Sequence, residues 1–238
     1  MKKRIWELDA LRGLCVLGMV LVHLVFDLVE MYALVDWEYP QWFVLLKEWG
    51  GLLFLLISGI CVTLGSHCIK RGLLVFLCGL LCTAVTWVMA FLDFADTSMV
   101  IWFGVLHCLG ICMLLWPLFS RLPTWLLAIV SAILTCAGFY FIYNVTADTW
   151  LGVPFGIVFP GFSTPDYFPL LPYLGLFLFG AVLGKLIYKG KTSLLPNVNP
   201  RNPIIAFFTM LGRHSLWIYL LHQPILAALC YGLTYLKS

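Results

Sequence analysis

Apolar residues run through this chain in continuous stretches of about twenty, long enough to cross ~30 Å of hydrocarbon as α-helices, with short polar linkers between them. The stretches fall near residues 10–30, 49–67, 72–92, 99–119, 123–143, 168–188 and 213–235. Membrane strands would instead alternate apolar and polar positions over about ten residues. The pattern therefore predicts an all-α, polytopic helical membrane protein with about seven transmembrane helices, its single domain covering residues 1–238.

The first stretch departs from this apolar rule. DALRGLCVLGMVLVHLVFD carries Asp9, Arg12, His23 and Asp27. At about 100° per residue, counted from Asp9, these lie near 0°, −60°, −40° and 0°, one stripe along the helix. An ionised side chain at the centre of a span costs about 2.5 to 3.5 kcal/mol on insertion scales, against a gain of only about 0.3 to 0.6 for each Leu or Val. A stripe facing lipid would cancel much of the helix's own insertion energy. It is expected to face protein or a water-filled cavity.

Sixty-three per cent hydrophobic and 11% charged residues, with a mean hydropathy of +1.01, leave no room for a separate soluble domain. No basic patch with interleaved aromatics suggests a nucleic acid partner. The net charge of +3 matters less than where the charges sit. Lys2, Lys3, Arg4, Lys70, Arg71, Arg121, Lys185, Lys189, Lys191 and Arg201 fall on one side of the predicted spans, while most acidic residues fall on the other. The positive-inside rule then places the N-terminus in the cytoplasm and the C-terminus outside. Met1-Lys2-Lys3-Arg4 resembles the start of a signal peptide, but the apolar run behind it lacks a small-x-small cleavage site and reads as an uncleaved span.

Polar groups recur deeper in the spans. With a rise of about 1.5 Å per residue, His23, His107 and His222 reach a similar level, roughly 20, 18 and 14 Å from the cytoplasmic face. Ser215 lies on nearly the same helix face as His222, and Pro224 removes the hydrogen bond to the Leu220 carbonyl beside it. Arg12 and Arg213 match one another, each near the cytoplasmic end of a span with a histidine farther along. Cys78 and Cys82, and Cys108 and Cys112, are spaced i,i+4 but read as small packing residues, so no metal is expected. Gly175, Gly180 and Gly184 read as helix contacts. The stretch from Trp150 to Pro172, broken by prolines and glycines yet apolar, is expected to fold back onto the helices.

RIWELDALRGLCVLGMVLVH, FGVLHCLGICMLLWPL, DYFPLLPYLGLFLFGAVLG and LGRHSLWIYLLHQPIL together resemble the bacterial branch of the heparan-α-glucosaminide N-acetyltransferase catalytic-domain family, within the transmembrane acyltransferases. The resemblance runs over essentially the whole chain. It implies transfer of an acetyl or other acyl group from cytoplasmic acyl-CoA, with acetyl-CoA as co-substrate, to an amine or hydroxyl of a glycan or lipid-linked sugar. It also implies a multi-pass protein of a bacterial inner membrane, and leaves the oligomeric state open. LD-x-x-RG with a histidine eleven residues past the arginine also looks like the membrane O-acyltransferases of bacterial surface sugars, which points to Arg12 and His23.

The expected catalytic groups are His23, with Asp27 holding its tautomer, and His222 and His107 at the thioester. Arg12, Asp9, Arg213, His214 and Ser215 are expected to bind the co-substrate. The alternative is a proton-coupled transporter or a lipid-linked sugar flippase using the same groups as a relay.

Overall fold

A computed structural model of the chain describes residues 4–237. Met1, Lys2 and Lys3, counted above among the signal-like and basic positions, lie outside the described residues. Eight α-helices follow in order: α1 (Trp6–Phe26), α2 (Gln41–Leu64), α3 (Cys68–Phe91), α4 (Val105–Ser120), α5 (Thr124–Asn144), α6 (Leu170–Ile187), α7 (Pro203–Arg213) and α8 (Ser215–Lys237). There is no strand among the described residues, only isolated bridges. The protein is an all-helical, polytopic membrane protein.

Among the described residues, six helices are long and apolar enough to cross a membrane. The fourth predicted span, 99–119, is instead the 16-residue α4. Its length of about 24 Å falls short of a ~30 Å hydrocarbon core. Residues ahead of it peel away, because a 3-10 turn at Thr97–Met99 and a bridge between Phe103 and Tyr167 take up that backbone. Helix α7 was not expected at all, since 11 residues are too few for a span. Its start follows simple rules: the Asn202 side chain accepts the Ile204 N–H at 3.0 Å and Pro203 fills the first turn.

The chain divides into two compact units, one made of residues 1–54 and 191–238 and the other of residues 55–190, so that α2 contributes to both. In the first, α7 crosses α1 in the antiparallel sense. A Cβ on Gly13 would overlap the Phe208 carbonyl, and one on Gly212 would overlap the Asp9 carbonyl. Two backbones meet there with nothing between them. Helix α8 runs alongside α1 in the same direction, as the partner pairs described below show.

In the second unit, α3 lies antiparallel to α4, with Gly72 against Gly110 and Met113 and Gly79 against His107. Helices α5 and α6 pair in the same way, and the Ser131 hydroxyl donates to the Gly175 carbonyl at 2.9 Å. Gly180 and Gly184 meet Leu56, Ile60 and Thr63 of α2. The apolar segment before α6 does fold back. The Thr164 hydroxyl donates to the Val100 carbonyl at 2.8 Å, the Phe168 N–H to the Phe103 carbonyl at 3.0 Å and the Tyr167 hydroxyl to the Val153 carbonyl at 2.7 Å. Burial raises the Tyr167 phenol above its ordinary range.

Lys185 shows how a cation is housed in this unit. Its ammonium donates to the carbonyls of Ser120 and Leu122 at 3.0 and 2.9 Å, closing the C-terminal end of α4. Lys185→Met is expected to lower stability by about 1.5 to 3 kcal/mol, the range for hydrogen bonds to a charged group. Denaturation of the purified protein in detergent reads this directly.

Candidate active site

The stripe on α1 faces the chain from Arg213 to Gln223, one partner after another. Asp9 receives the Arg213 guanidinium at 3.5 Å. Arg12 donates from Nη2 to the Ser215 hydroxyl at 2.9 Å. The His23 ring meets that of His222 edge to face, with centroids 4.8 Å apart and planes at 81°. Asp27 accepts from the Gln223 amide at 3.0 and 3.1 Å. Beyond them the Tyr32 hydroxyl donates to the Ala227 carbonyl at 3.3 Å. The order along both helices is the same, so α1 and α8 are parallel and the stripe is turned away from lipid.

The tautomers of the two histidines follow from their partners. His23 Nδ1 lies 2.9 Å from the Met19 carbonyl and His222 Nδ1 lies 2.6 Å from the Tyr219 carbonyl. A carbonyl oxygen only accepts, so in each ring Nδ1 carries a proton, and in the neutral imidazole the lone pair is left on Nε2. His222 Nε2 is buried and has no hydrogen-bond partner among the described residues. Two imidazoles are thus held at one level with their basic nitrogens uncommitted to backbone.

This corrects the role expected of Asp27. His23 takes its orientation from Met19 and not from the carboxylate one turn on. Helical side chains lean toward the N-terminus, which brings the His23 ring over the i−4 carbonyl. At Asp27 the helix also loosens into a π-turn, Asp27–Met31, and Gln223 of α8 takes the carboxylate. Asp27 is fully buried.

Arg12 also differs from expectation. It is turned inward onto Ser215, lies 5.7 Å over the Phe54 ring, and its buried Nε has no partner among the described residues. A cavity of about 460 Å³ is lined by Arg201, Arg213, His214, Trp6 and Thr209, among others. The Arg213 side chain is 47% exposed even with Asp9 beside it. His214 spends Nδ1 on the Met210 carbonyl at 2.9 Å.

His107 lies in the second unit, and both its nitrogens are engaged there. The Gly104 N–H donates to Nδ1 at 3.1 Å, which leaves the proton on Nε2, 3.3 Å from the Thr83 hydroxyl oxygen. Thr83 in turn donates to the Ile101 carbonyl at 2.5 Å. Within its unit His107 closes the start of α4 as a hydrogen-bonded capping residue.

Two residues of this arrangement escaped the sequence reading. Gln223 was passed over because an amide beside a proline in a span gives no charge signal. Glu7, buried, accepts the Leu194 N–H at 2.8 Å and ties the segment after α6 to the start of α1.

The family model of the heparan-α-glucosaminide N-acetyltransferase catalytic domain matches residues 4–224. The chain belongs to this family. The match covers most of the chain and contains every residue of the paired α1 and α8 stripes up to Gln223. Neither a curated protein nor a solved structure matches the chain. Membership in the heparan-α-glucosaminide N-acetyltransferase family makes this a transmembrane protein of acetyltransferase type.

Proposed function

We propose that the first unit transfers an acyl group, acetyl by preference, from cytoplasmic acyl-CoA to an amine or hydroxyl of a glycan or lipid-linked sugar. The observation that carries this reading is the His23–His222 pair, whose Nδ1 protons are both spent on backbone carbonyls. A transfer to a hydroxyl or amine needs one base at the acceptor, and this pair offers two bare Nε2 atoms. In the direct route His23 Nε2 takes the acceptor's proton as its oxygen or nitrogen attacks the thioester carbonyl. The C–O or C–N bond forms, the C–S bond breaks, and the departing thiolate takes up the proton. In a two-step route the same nitrogen first carries the acyl group, which the acceptor then removes.

His222 in this tautomer has no free N–H to offer an oxyanion, so its part is that of a second proton acceptor. Arg201, Arg213 and His214 line the cavity where the phosphates of the co-substrate would be held. Arg12 and Ser215 stand next along the axis, with Arg12 about 16 Å of helix before His23. An extended pantetheine arm covers a distance of that order. Arg201→Ala and Arg213→Ala are expected to raise the KM for acetyl-CoA about tenfold each, as the loss of one charge-assisted contact does. Steady-state kinetics at two ionic strengths checks this, the effect shrinking as salt rises.

A cytoplasmic N-terminus and an external C-terminus belong to the same proposal, in a bacterial inner membrane. That orientation requires α4 to cross along with the six longer helices. Vesicles with the purified protein decide the reaction. Release of free thiol from acetyl-CoA, dependent on a sugar acceptor, supports transfer. Uptake driven by a pH gradient without thioester loss would instead mark a proton-coupled transporter.

A further inference from the structure

Helix α7 has three faces, and each meets something different. Counted at about 100° per residue from Ile204, Phe208 and Gly212 lie near 40° and 80°, where their backbone meets α1. Thr209 and Arg213 lie near 140° and 180° and line the cavity together with Trp6, Arg201 and His214. Met210, Phe207 and Ile204 follow near 240°, 300° and 0° and form the third face. These three side chains are 50%, 47% and 69% exposed. Met210 also lines the cavity, so the rim of the cavity runs directly into the apolar stripe.

The polar face is cationic. Among the described residues no acid lines the cavity. Asp9 meets Arg213 at Nε, 3.5 Å away, and still leaves that side chain half exposed, while Arg201 is exposed as well. An eleven-residue helix that is apolar on one side and basic on another has the pattern of helices lying where hydrocarbon meets lipid headgroups. Trp6, in the wall of the same cavity, is of a type enriched at that level. A nucleotide phosphate satisfies the cations and leaves the stripe bare. A molecule that satisfies both carries an anion joined to aliphatic chains.

We infer that the cavity beside α7 also takes the headgroup of an anionic phospholipid, whose acyl chains lie along Met210, Phe207 and Ile204, and that this lipid competes there with the phosphates of acyl-CoA. The phosphodiester faces Arg201, Arg213 and His214, and the chains cover the stripe that a soluble ligand cannot. Access of co-substrate to the first unit then falls as the anionic lipid content of the surrounding leaflet rises. The competition rests on the acyl-transfer reading, while the lipid site stands apart from it.

The two are tested separately. Native mass spectrometry of the protein released from detergent, with phosphatidylglycerol or phosphatidylcholine added, reads lipid binding without acetyl-CoA. The wild type is expected to retain phosphatidylglycerol in preference. Arg201→Ala and Arg213→Ala should each weaken that retention about fivefold, the worth of one basic residue near an anionic surface. Phe207 does not line the cavity, and Phe207→Gln should weaken retention about tenfold by uncovering the chains. Glycerol 3-phosphate, which has the anion and no chains, should not displace the lipid. Equal retention of the two lipids, retention untouched by the arginine variants or by Phe207→Gln, or ready displacement by glycerol 3-phosphate would overturn the lipid site.

Competition is read by titrating acetyl-CoA into nanodiscs of phosphatidylcholine with increasing phosphatidylglycerol. Affinity should fall with the anionic fraction in the wild type and fall much less in Phe207→Gln, which experiences the same surface charge but holds the lipid poorly. In pure phosphatidylcholine the two proteins should bind acetyl-CoA equally. An identical fall in both would reduce the effect to repulsion by the membrane surface and overturn the competition. Absence of acetyl-CoA binding in every nanodisc would overturn the competition together with the acyl-transfer reading, and leave the lipid site to the mass spectra.

Discussion

His23→Ala is expected to reduce acetyl transfer by about 10²–10⁴-fold while the protein still folds and still binds acetyl-CoA. The imidazole makes one backbone hydrogen bond within α1 and one ring contact to His222 of α8. The cations that line the cavity lie well before it along α1 and α8, so co-substrate affinity should be retained. If His23 and His222 act as one unit, removing both should cost little more than removing the more important one. Single-turnover rates for His23→Ala, His222→Ala and the double variant separate these cases. A double variant that multiplies the two single losses would mean that the rings serve independent steps. Full activity in His23→Ala would take His23 out of the mechanism.

Gly212→Leu is expected to be the most damaging substitution for stability. The Cβ alone would run into the Asp9 carbonyl, and the opposite helix offers Gly13 at the same crossing. Relief requires α7 to move off α1, which would also pull Arg213 from Asp9 and shift the start of α8 where Ser215 meets Arg12. Overpacking usually costs about 1–3 kcal/mol, and a clash with rigid backbone on both sides should reach about 3 kcal/mol or more. Gly232, on α8, has nothing within 4 Å of its would-be Cβ. Gly232→Ala is expected to leave stability unchanged or to raise it by roughly 0.5–1 kcal/mol, as Gly to Ala does inside a helix. Thermal unfolding of both variants side by side distinguishes a specific crossing from a general cost of side chains at glycine.

The stripe on α1 was legible because a helix has a fixed period. Asp9, Arg12, His23 and Asp27 share a face whatever surrounds them, and the cost of ionised groups in hydrocarbon demands that this face be covered. The glycines of α6 were legible for a similar reason, since small residues at helical spacing permit contact in any bundle. Helix α7 was less so. Its cap signal, Asn202 followed by Pro203, was in plain view, but a reading tuned to spans of twenty residues passes over eleven.

The choice of partner was the harder question. Asp27 is one turn from His23, and helix geometry allows the two to meet. They are parted by the leaning of the His23 ring over Met19 and by the amide of Gln223 arriving from another helix. His107 was read at the same depth as the other histidines, yet depth says nothing about whether Gly104 and Thr83 will claim both its nitrogens. Arg12 looked like a residue of the mouth until Ser215 and Phe54 drew it inward.

Composition, period and charge placement determined by themselves that the chain folds as a helical membrane protein with one polar face on its first helix. Those properties belong to single segments and to the solvent around them, so no fold is needed to read them. Which nitrogen keeps its lone pair, which carboxylate is sealed, and where α7 lies against α1 were decided only when helices distant in sequence met. A hydrogen bond is good over a few tenths of an ångström, and that precision comes from the register between helices, which no segment carries alone.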